Sequence, residues 1–348
     1  MSPADGLAPV AAALRGHASY VIIGHVDPDL DSLGSVLALA WGLERLGKRV
    51  HALSPDPVRP EWRFLPGADR IQVPPPVPTD AEALVVLDCD LGRTGPVAAV
   101  AERFAHVYNL DHHVTNVAGG TVRYIDPQAA ATGEIIYAVL VEHWGLPLDQ
   151  AAATCLYAAV MTDTGSFRYS NTRAATLRIA GALVEAGARP DEIASLVYEQ
   201  ASWSSLQLLA RALATLERTP EGRIAWITVT RDMLAAVGAR YDDADGMVQF
   251  PRMVKGVEVA IIFRELPDGG TRVGLRSKGA VDVSRIAAAL GGGGHPRAAG
   301  CTLALPVAAA RERVLAAVQQ AMAAAGAALS VSRAARALDG FGGSGAKG

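Results

Sequence analysis

The segment Gly24-His25-Val26-Asp27-Pro28-Asp29-Leu30-Asp31-Ser32 packs one histidine and three aspartates into seven positions. Carboxylates this close repel one another unless a cation neutralises them or water solvates them. Aspartate and histidine without cysteine suit a hard or borderline ion such as Mn2+ or Mg2+ better than a structural zinc. The bland alternative is a solvated acidic loop in which Asp31 or Ser32 caps the following helix. Three further segments weigh against it: Leu87-Asp88-Cys89-Asp90, Asp111-His112-His113 and Met161-Thr162-Asp163-Thr164-Gly165. Singly, each reads as a turn residue or a half-exposed histidine pair. Together they supply the donors of a metal cage.

The elements around these segments say where such donors would meet. Short apolar runs at 20–23, 84–87 and 107–110 each end in aspartate or histidine. Continuous apolar runs bounded by polar loops mark strands buried on both faces of a parallel sheet. Helical patterns at 35–46, 134–143, 149–161, 172–186, 191–200 and 204–216 alternate with or follow them. The expected fold class is α/β: an N-terminal doubly wound, mainly parallel sheet domain plus a smaller α/β C-terminal domain, with an interdomain cleft. In such sheets ligands bind outside the carboxyl ends of the strands, where the aspartates and histidines fall.

A second strand-rich unit starts near residue 223, with strands at 224–230, 257–263 and 271–275 and helices at 283–290 and 307–325. The expected boundaries are 1–190 for the metal-binding domain, 191–222 for a helical linker or hinge, and 223–328 for a substrate-binding domain. Residues 329–348 read as a disordered tail. The second unit carries Gly274-Leu275-Arg276-Ser277-Lys278 and then Gly291-Gly292-Gly293-Gly294-His295-Pro296-Arg297. Consecutive glycines let backbone N–H groups turn toward an anion, and Arg276, Lys278, His295 and Arg297 add charged donors suited to phosphate. A flexible linker with scattered charge is the alternative. Neither a Walker loop nor a dinucleotide-binding fingerprint is present.

The chain of 348 residues has a net charge of -3, which argues against coating duplex nucleic acid. That total hides a division: residues 1–190 carry 14 Lys and Arg against 20 Asp and Glu, and residues 191–348 carry 18 against 15. Cys89, Cys155 and Cys301 lie far apart, which is neither a disulfide framework nor a zinc knuckle and suits a reducing cytosol. No apolar run reaches the roughly 18 residues that span a bilayer, and no signal peptide is visible. The expectation is a cytoplasmic protein without a membrane partner.

Four ordered motifs carry a resemblance: G-H-V-D-P-D-L-D-S-L-G-S (24–35), L-D-C-D-L-G-R (87–93), N-L-D-H-H-V-T-N (109–116) and M-T-D-T-G-S-F-R-Y-S-N-T (161–172). Together they resemble the DHH phosphoesterase superfamily over residues 20 to about 305. The R-S-K-G…V-D-V-S-R-I-A…G-G-G-G-H-P-R-A-A-G block resembles the DHHA1 domain of one subfamily, closest to its nanoRNase and pAp-phosphatase branch. The resemblance implies one ion on His25, Asp29 and Asp88 and a second on Asp31, Asp88, His112 and Asp163, with Asp88 bridging. It implies that His113 faces the substrate phosphate and that Asp111 orients the histidines. Arg93, Arg276, Ser277, Lys278, Gly293, Gly294, His295 and Arg297 become the expected substrate contacts.

The resemblance therefore implies a phosphoesterase with two divalent ions, Mn2+ foremost, with Mg2+ and Co2+ as the other candidates. A hydroxide shared by the ions would attack phosphorus. Expected substrates are short single-stranded oligonucleotides, linear dinucleotides and 3′-phosphoadenosine 5′-phosphate (pAp). A homodimer is among the states the resemblance allows. Competing readings are a pyrophosphate or polyphosphate hydrolase on the same metal site, a single-strand exonuclease of the superfamily, and a nucleotide sensor without turnover. Aromatic content of 5% and the lack of a basic, aromatic-studded track argue against long single strands.

Overall fold

The computed structural model describes residues 3–74, 77–116, 119–278 and 281–339. The chain divides into two compact units, residues 1–200 and 201–348. The first contains, in order, α1 (Pro3–Leu14), β1 (Ser19–Ile23), α2 (Leu30–Arg45), β2 (Arg49–Leu53), β3 (Ala83–Leu87), β4 (His106–Asp111), β5 (Val122–Ile125), α3 (Thr132–Tyr137), α4 (Gln150–Asp163), α5 (Ala174–Glu185) and α6 (Pro190–Tyr198). A π-helical turn, Ala138–His143, continues α3.

The first sheet has the order β2-β1-β3-β4-β5, with every neighbouring pair parallel. In β1, Tyr20 and Ile22 join a core formed with α1, α2, α3 and α4, while Val21 and Ile23 join a second core on the opposite face. That face is covered by the 3-10 segment Gly95–Arg103, through Val97 and Ala101. Burial on both faces is why β1 and β3 are apolar at nearly every position. The strand order reverses at β1, so β1 and β3 both release their next residues at the switch point where such sheets bind ligands.

α2 packs closely on α4, with Gly34 in the contact. A Cβ there would overlap the Cys155 carbonyl oxygen and lie 3.2 Å from the Ala159 side chain. The packing matters to function because α2 begins at Asp31 and its neighbours and α4 ends at Asp163.

The second unit contains α7 (Trp203–Leu213), β6 (Glu217–Arg218), β7 (Ile224–Val229), α8 (Arg231–Val237), α9 (Gln249–Met253), β8 (Val259–Glu265), β9 (Thr271–Ser277), α10 (Val283–Ala289), β10 (Gly293–His295), β11 (Ala298–Leu303) and α11 (Val307–Asp339). Its six-stranded sheet runs β10-β11-β9-β8-β7-β6, antiparallel except for the β7–β8 pair.

The segment expected as a linker is divided between the units: α6 belongs to the first, whereas Leu208 and Ala212 of α7 pack into the core of the second. α11 extends to Asp339, into the stretch expected to be a disordered tail; residues 340–348 lie outside the described residues. No helix of the described residues is long and apolar enough to cross a membrane.

The α2–α4 contact gives a stability test. Gly34→Ala should destabilise by about 1–3 kcal/mol, the usual cost of overpacking. Gly181→Ala, on α5 where an added Cβ meets nothing within 4 Å, should stabilise by about 0.5–1 kcal/mol. Denaturant unfolding of the two variants separates the effects, and equal stabilities would contradict the packing.

Candidate metal centre

At the carboxyl edge of the first sheet the chain leaves β1 through His25 and enters α2 through Asp29, its N-cap. The Asp29 carboxylate accepts from the Ser32 amide at 2.9 Å. Two residues on, Asp31 is almost wholly buried. Its two oxygens accept from the amides of Thr132 and Gly133 at 2.7 and 2.9 Å, at the start of α3. Asp88 follows β3 directly with φ of 64°, a left-handed conformation that aspartate tolerates better than most residues. Strained residues of this kind gather at functional sites. His112 follows β4, and Asp163 closes α4.

These side chains face each other in two groups that share Asp88. His25 Nε2 lies 3.8 Å from Asp29 Oδ1 and 3.4 Å from Asp88 Oδ2. His112 Nε2 lies 3.8 Å from Asp31 Oδ2, 3.5 Å from Asp88 Oδ1 and 3.6 Å from Asp163 Oδ2. Asp88 thus turns one oxygen toward each histidine. The separations exceed hydrogen-bond length. Donors held about 2.1 Å from a common ion lie roughly 3.0–3.4 Å apart at a tetrahedral or octahedral edge, so the spacing is that of a slightly expanded cage. The groups His25, Asp29, Asp88 and Asp31, His112, Asp163 each bring their donor atoms within 4.8 Å of one another.

Both histidines are oriented for this. His25 Nδ1 donates to its neighbour Val26's carbonyl at 2.8 Å, and His112 Nδ1 to the Ala129 carbonyl at 3.3 Å. With Nδ1 so engaged, Nε2 is in each case the ring nitrogen that faces the cage.

Electrostatics give an independent reason for a cation. Burial, and then the charge of Asp31, push Asp88 well above the usual carboxylate range. Burial likewise raises Asp31, and burial followed by Asp31 and Asp29 raises Asp163 to about 8. Burial opposes protonation of His25, but Asp29 and Asp88 outweigh it and push the ring up to about 10. For Asp29 burial is outweighed by His25, and its carboxyl is lowered. Protons substitute here for missing positive charge, which a divalent ion would supply. The residues fit such ions by number, chemistry and orientation.

Asp111, fully buried, has a different task. Its Oδ1 accepts from the His112 and His113 amides and from His113 Nδ1 at 2.6, 3.1 and 2.8 Å, and its Oδ2 accepts from Asn116 Nδ2 at 2.7 Å. It also lies in a group with Asp88, His112 and His113 whose donor atoms fall within 4.8 Å of one another, but its oxygens are engaged by these donors, which outweigh burial and lower its carboxyl. His113 is partly exposed beside it, with Nδ1 3.6 Å from Asp88 Oδ1. Asp27 stands apart from the cage, accepting from Arg59 at 2.7 Å. Arg93 reaches the rim, its Nη2 3.4 Å from His25 Nδ1.

In the second unit, Arg276 and Ser277 end β9, and Ala298 of β11 pairs with both Arg276 and His295. Arg276, Ser277, Lys278, Gly293, Gly294 and Arg297 are therefore gathered at one end of this sheet's edge. Arg297 is exposed, Lys278 Nζ donates to the Val254 carbonyl at 3.4 Å, and Arg276 Nη1 donates to the Leu275 carbonyl at 3.1 Å. Ser277 is buried and its hydroxyl proton goes to the Pro296 carbonyl at 3.2 Å, so that donor is committed within the fold. The side chain of His295 lies outside the described residues.

Part of the glycine run forms a hairpin strand rather than a free loop. A Cβ on Gly292 would overlap the Gly300 carbonyl, and one on Gly294 would meet the Ala298 carbonyl at 2.6 Å.

Two family models match the chain: "DHH family, N-terminal domain" over residues 19–160 and "DHHA1 domain" over residues 231–324. A relative from Thermus thermophilus, bifunctional oligoribonuclease and PAP phosphatase NrnA, is 35% identical over 322 residues, covering 92% of this chain and 94% of the relative. The chain belongs to the DHH family, in its DHHA1-bearing branch. A relative of the same name from Bacillus subtilis is 27% identical over 290 residues, covering 82% of this chain and 89% of the relative. An exopolyphosphatase-related protein from Bacteroides fragilis has the same fold, with a TM-score of 0.85 at 24% identity over 91% of this chain and 96% of that one.

Membership in the DHH family accounts for the Asp111-His112-His113 signature but not for the groups that hold it. Asn109, Asn116, Thr132, Glu134 and Asn171 all bond into the site, and none of them stands out in the sequence as a functional residue. Asn109 and Asn116 stand inside the motif at 109–116 and Asn171 inside that at 161–172, a hint that polar residues within the motifs are buried or half-buried with the site.

Metal and protons should compete here. Asp163 at about 8 stands above the ordinary value near ~4, so over that window the folded chain holds more protons than the unfolded one. Metal-free stability must then fall as pH rises. His25, raised to about 10, acts in the same direction above its ordinary value of ~6.5. The metal-free protein should therefore melt at progressively lower temperature from about pH 6 to 9, and the gain on adding Mn2+ should widen. Asp88→Asn should melt no lower than the unsubstituted chain when metal-free and should lose most of that gain. A pH-independent gain, or one intact in Asp88→Asn, would refute the cage.

Proposed function

We propose that this protein is a two-metal phosphoesterase that trims very short oligonucleotides, including linear dinucleotides, to mononucleotides and converts pAp to AMP. The observation that carries the proposal is Asp88, whose two oxygens face two different histidine–aspartate groups. The Thermus thermophilus and Bacillus subtilis relatives are named for both activities, which supports carrying both to this chain. A mixed imidazole and carboxylate donor set favours Mn2+ over Mg2+, which prefers oxygen and keeps its waters.

When bound, two divalent ions supply Lewis acidity and a nucleophilic water at neutral pH. The chain's own residues do the rest. His25, Asp29, Asp31, Asp88, His112 and Asp163 hold the ions. Asp111 accepts from His113 Nδ1 and so fixes the ring, leaving Nε2 as the nitrogen proposed to face the phosphate. In the hydrolysis a water oxygen bonds to phosphorus and the ester P–O bond breaks; the departing sugar oxygen takes up a proton, for which His113 is the proposed donor, and the proton shed by the water restores His113. Arg93 on the first unit, and Arg276, Lys278, Gly293, Gly294, His295 and Arg297 on the second, are the proposed contacts for the remaining phosphate charge. Ser277 would act by holding the Pro296 turn beside them. A cytoplasmic setting belongs to the same proposal, supported by three buried, unpaired cysteines.

Product analysis decides it. With Mn2+, end-labelled RNAs of two to seven nucleotides should yield mononucleotides, and pAp should yield AMP, with pyrophosphate a poor substrate. Faster release from pyrophosphate than from either nucleotide, or binding without turnover, would overturn the proposal. Arg297→Ala should lower kcat/KM by about 10–100-fold, mainly through KM, as expected for one charge-assisted contact.

A further inference from the structure

Residues 129–133 supply no metal ligand, yet they touch three of the residues that do. The Ala129 carbonyl accepts from His112 Nδ1. The Thr132 hydroxyl donates to Asp88 Oδ1 at 2.9 Å. The amides of Thr132 and Gly133 hold both oxygens of Asp31.

This segment is itself pinned from two sides. Glu134 Oε2 accepts from the Ala130 amide at 3.0 Å, and Asn171 Nδ2 donates to the Ala130 carbonyl at 3.0 Å. The same Asn171 nitrogen donates to the Asp163 carbonyl at 3.1 Å. Arg173 braces Glu134, with Nη2 3.5 Å from Oε2. Asp31, Asp88, His112 and Asp163 are thus all tied to one frame. His25 and Asp29 are oriented elsewhere, by the Val26 carbonyl and the Ser32 amide.

Groups behind a metal ligand set its orientation, and their loss costs metal affinity. We infer that Glu134 and Asn171 are positioning residues selective for the ion held by Asp31, Asp88, His112 and Asp163. The inference rests on the two-ion reading and adds that the two sites are separately supported. The frame is not one that stability alone would select. Glu134 Oε1, Asn171 Oδ1 and Arg173 Nε are buried without a hydrogen-bond partner among the described residues, a cost that networks serving stability avoid.

The test is calorimetric titration of Mn2+ into the full chain and its variants, with electron paramagnetic resonance at two equivalents. The unsubstituted chain should bind two ions and give a spin-coupled pair. Asn171→Ala and Glu134→Ala should bind the first ion with unchanged affinity and the second about 10–100-fold more weakly, and show the six-line signal of isolated Mn2+. Glu134→Gln, which keeps an acceptor for the Ala130 amide, should recover most of the second-site affinity. Asn171→Leu, which keeps the branched shape without the amide, carries the same expectation as Asn171→Ala should the smaller side chain impair folding. Metal-free melting temperatures close to that of the unsubstituted chain distinguish positioning from loss of structure. Equal weakening of both ions, or two unaltered affinities, would overturn the inference while leaving the two-ion reading intact. Fewer than two ions on the unsubstituted chain would overturn both.

Discussion

Four carboxylates crowded at the end of one parallel sheet are the constraint on which the first unit is built. Asp31 and Asp88 are removed from water, and Asp29 and Asp163 face them from the rim. Such a cluster cannot remain fully ionised without positive charge, and the raised Asp31, Asp88 and Asp163 show how it would otherwise respond. Divalent ions resolve the conflict without protons. The fold's task is to hold this unfavourable arrangement until they arrive.

The scaffold meets that task by using backbone geometry rather than side-chain packing at the critical points. The switch point of the sheet brings the ends of β1 and β3 side by side, so His25 and Asp88 are neighbours although 63 positions apart in the chain. The left-handed turn at Asp88 directs its carboxylate immediately, with no loop to blur its position. Asp31 is satisfied by two backbone amides, which neither titrate nor change rotamer. The α2–α4 packing at Gly34 then couples the two helices that carry Asp31 and Asp163.

Much of this was legible in the sequence because strand ends and ligands coincide. The apolar runs before Gly24, Asp88 and Asp111 are buried on both faces, and burial of that kind leaves a continuous signal. β2 and β5 left none, since Arg49–Leu53 and Val122–Ile125 are edge strands with mixed polarity. Residues 291–297 pass for an anion loop because glycine permits both a loop and a tight hairpin, and only the Gly300 and Ala298 carbonyls distinguish them. Membership of α6 and α7 in different units was also hidden, as both show the same amphipathic period. Glu134 lies outside the four motifs, and Asn171, though inside the one at 161–172, is not singled out there as a functional residue. The role inferred for them rests on bonds to backbone atoms, and a backbone partner leaves no trace in residue identity.

The charge division gains meaning once it is mapped onto the structural units. Residues 1–200 carry 14 Lys and Arg against 23 Asp and Glu, a net of -9, and residues 201–348 carry 18 against 12, a net of +6. An acidic unit is a poor host for a phosphodiester, which would meet both the net charge and the local carboxylates. Under the two-ion reading the four ligand carboxylates are balanced by two divalent cations, so the loaded cage is locally neutral while the histidines remain uncharged donors. The ions then do more than activate water: they remove the repulsion that would exclude an anionic substrate. Under that reading substrate affinity at this site must itself depend on metal.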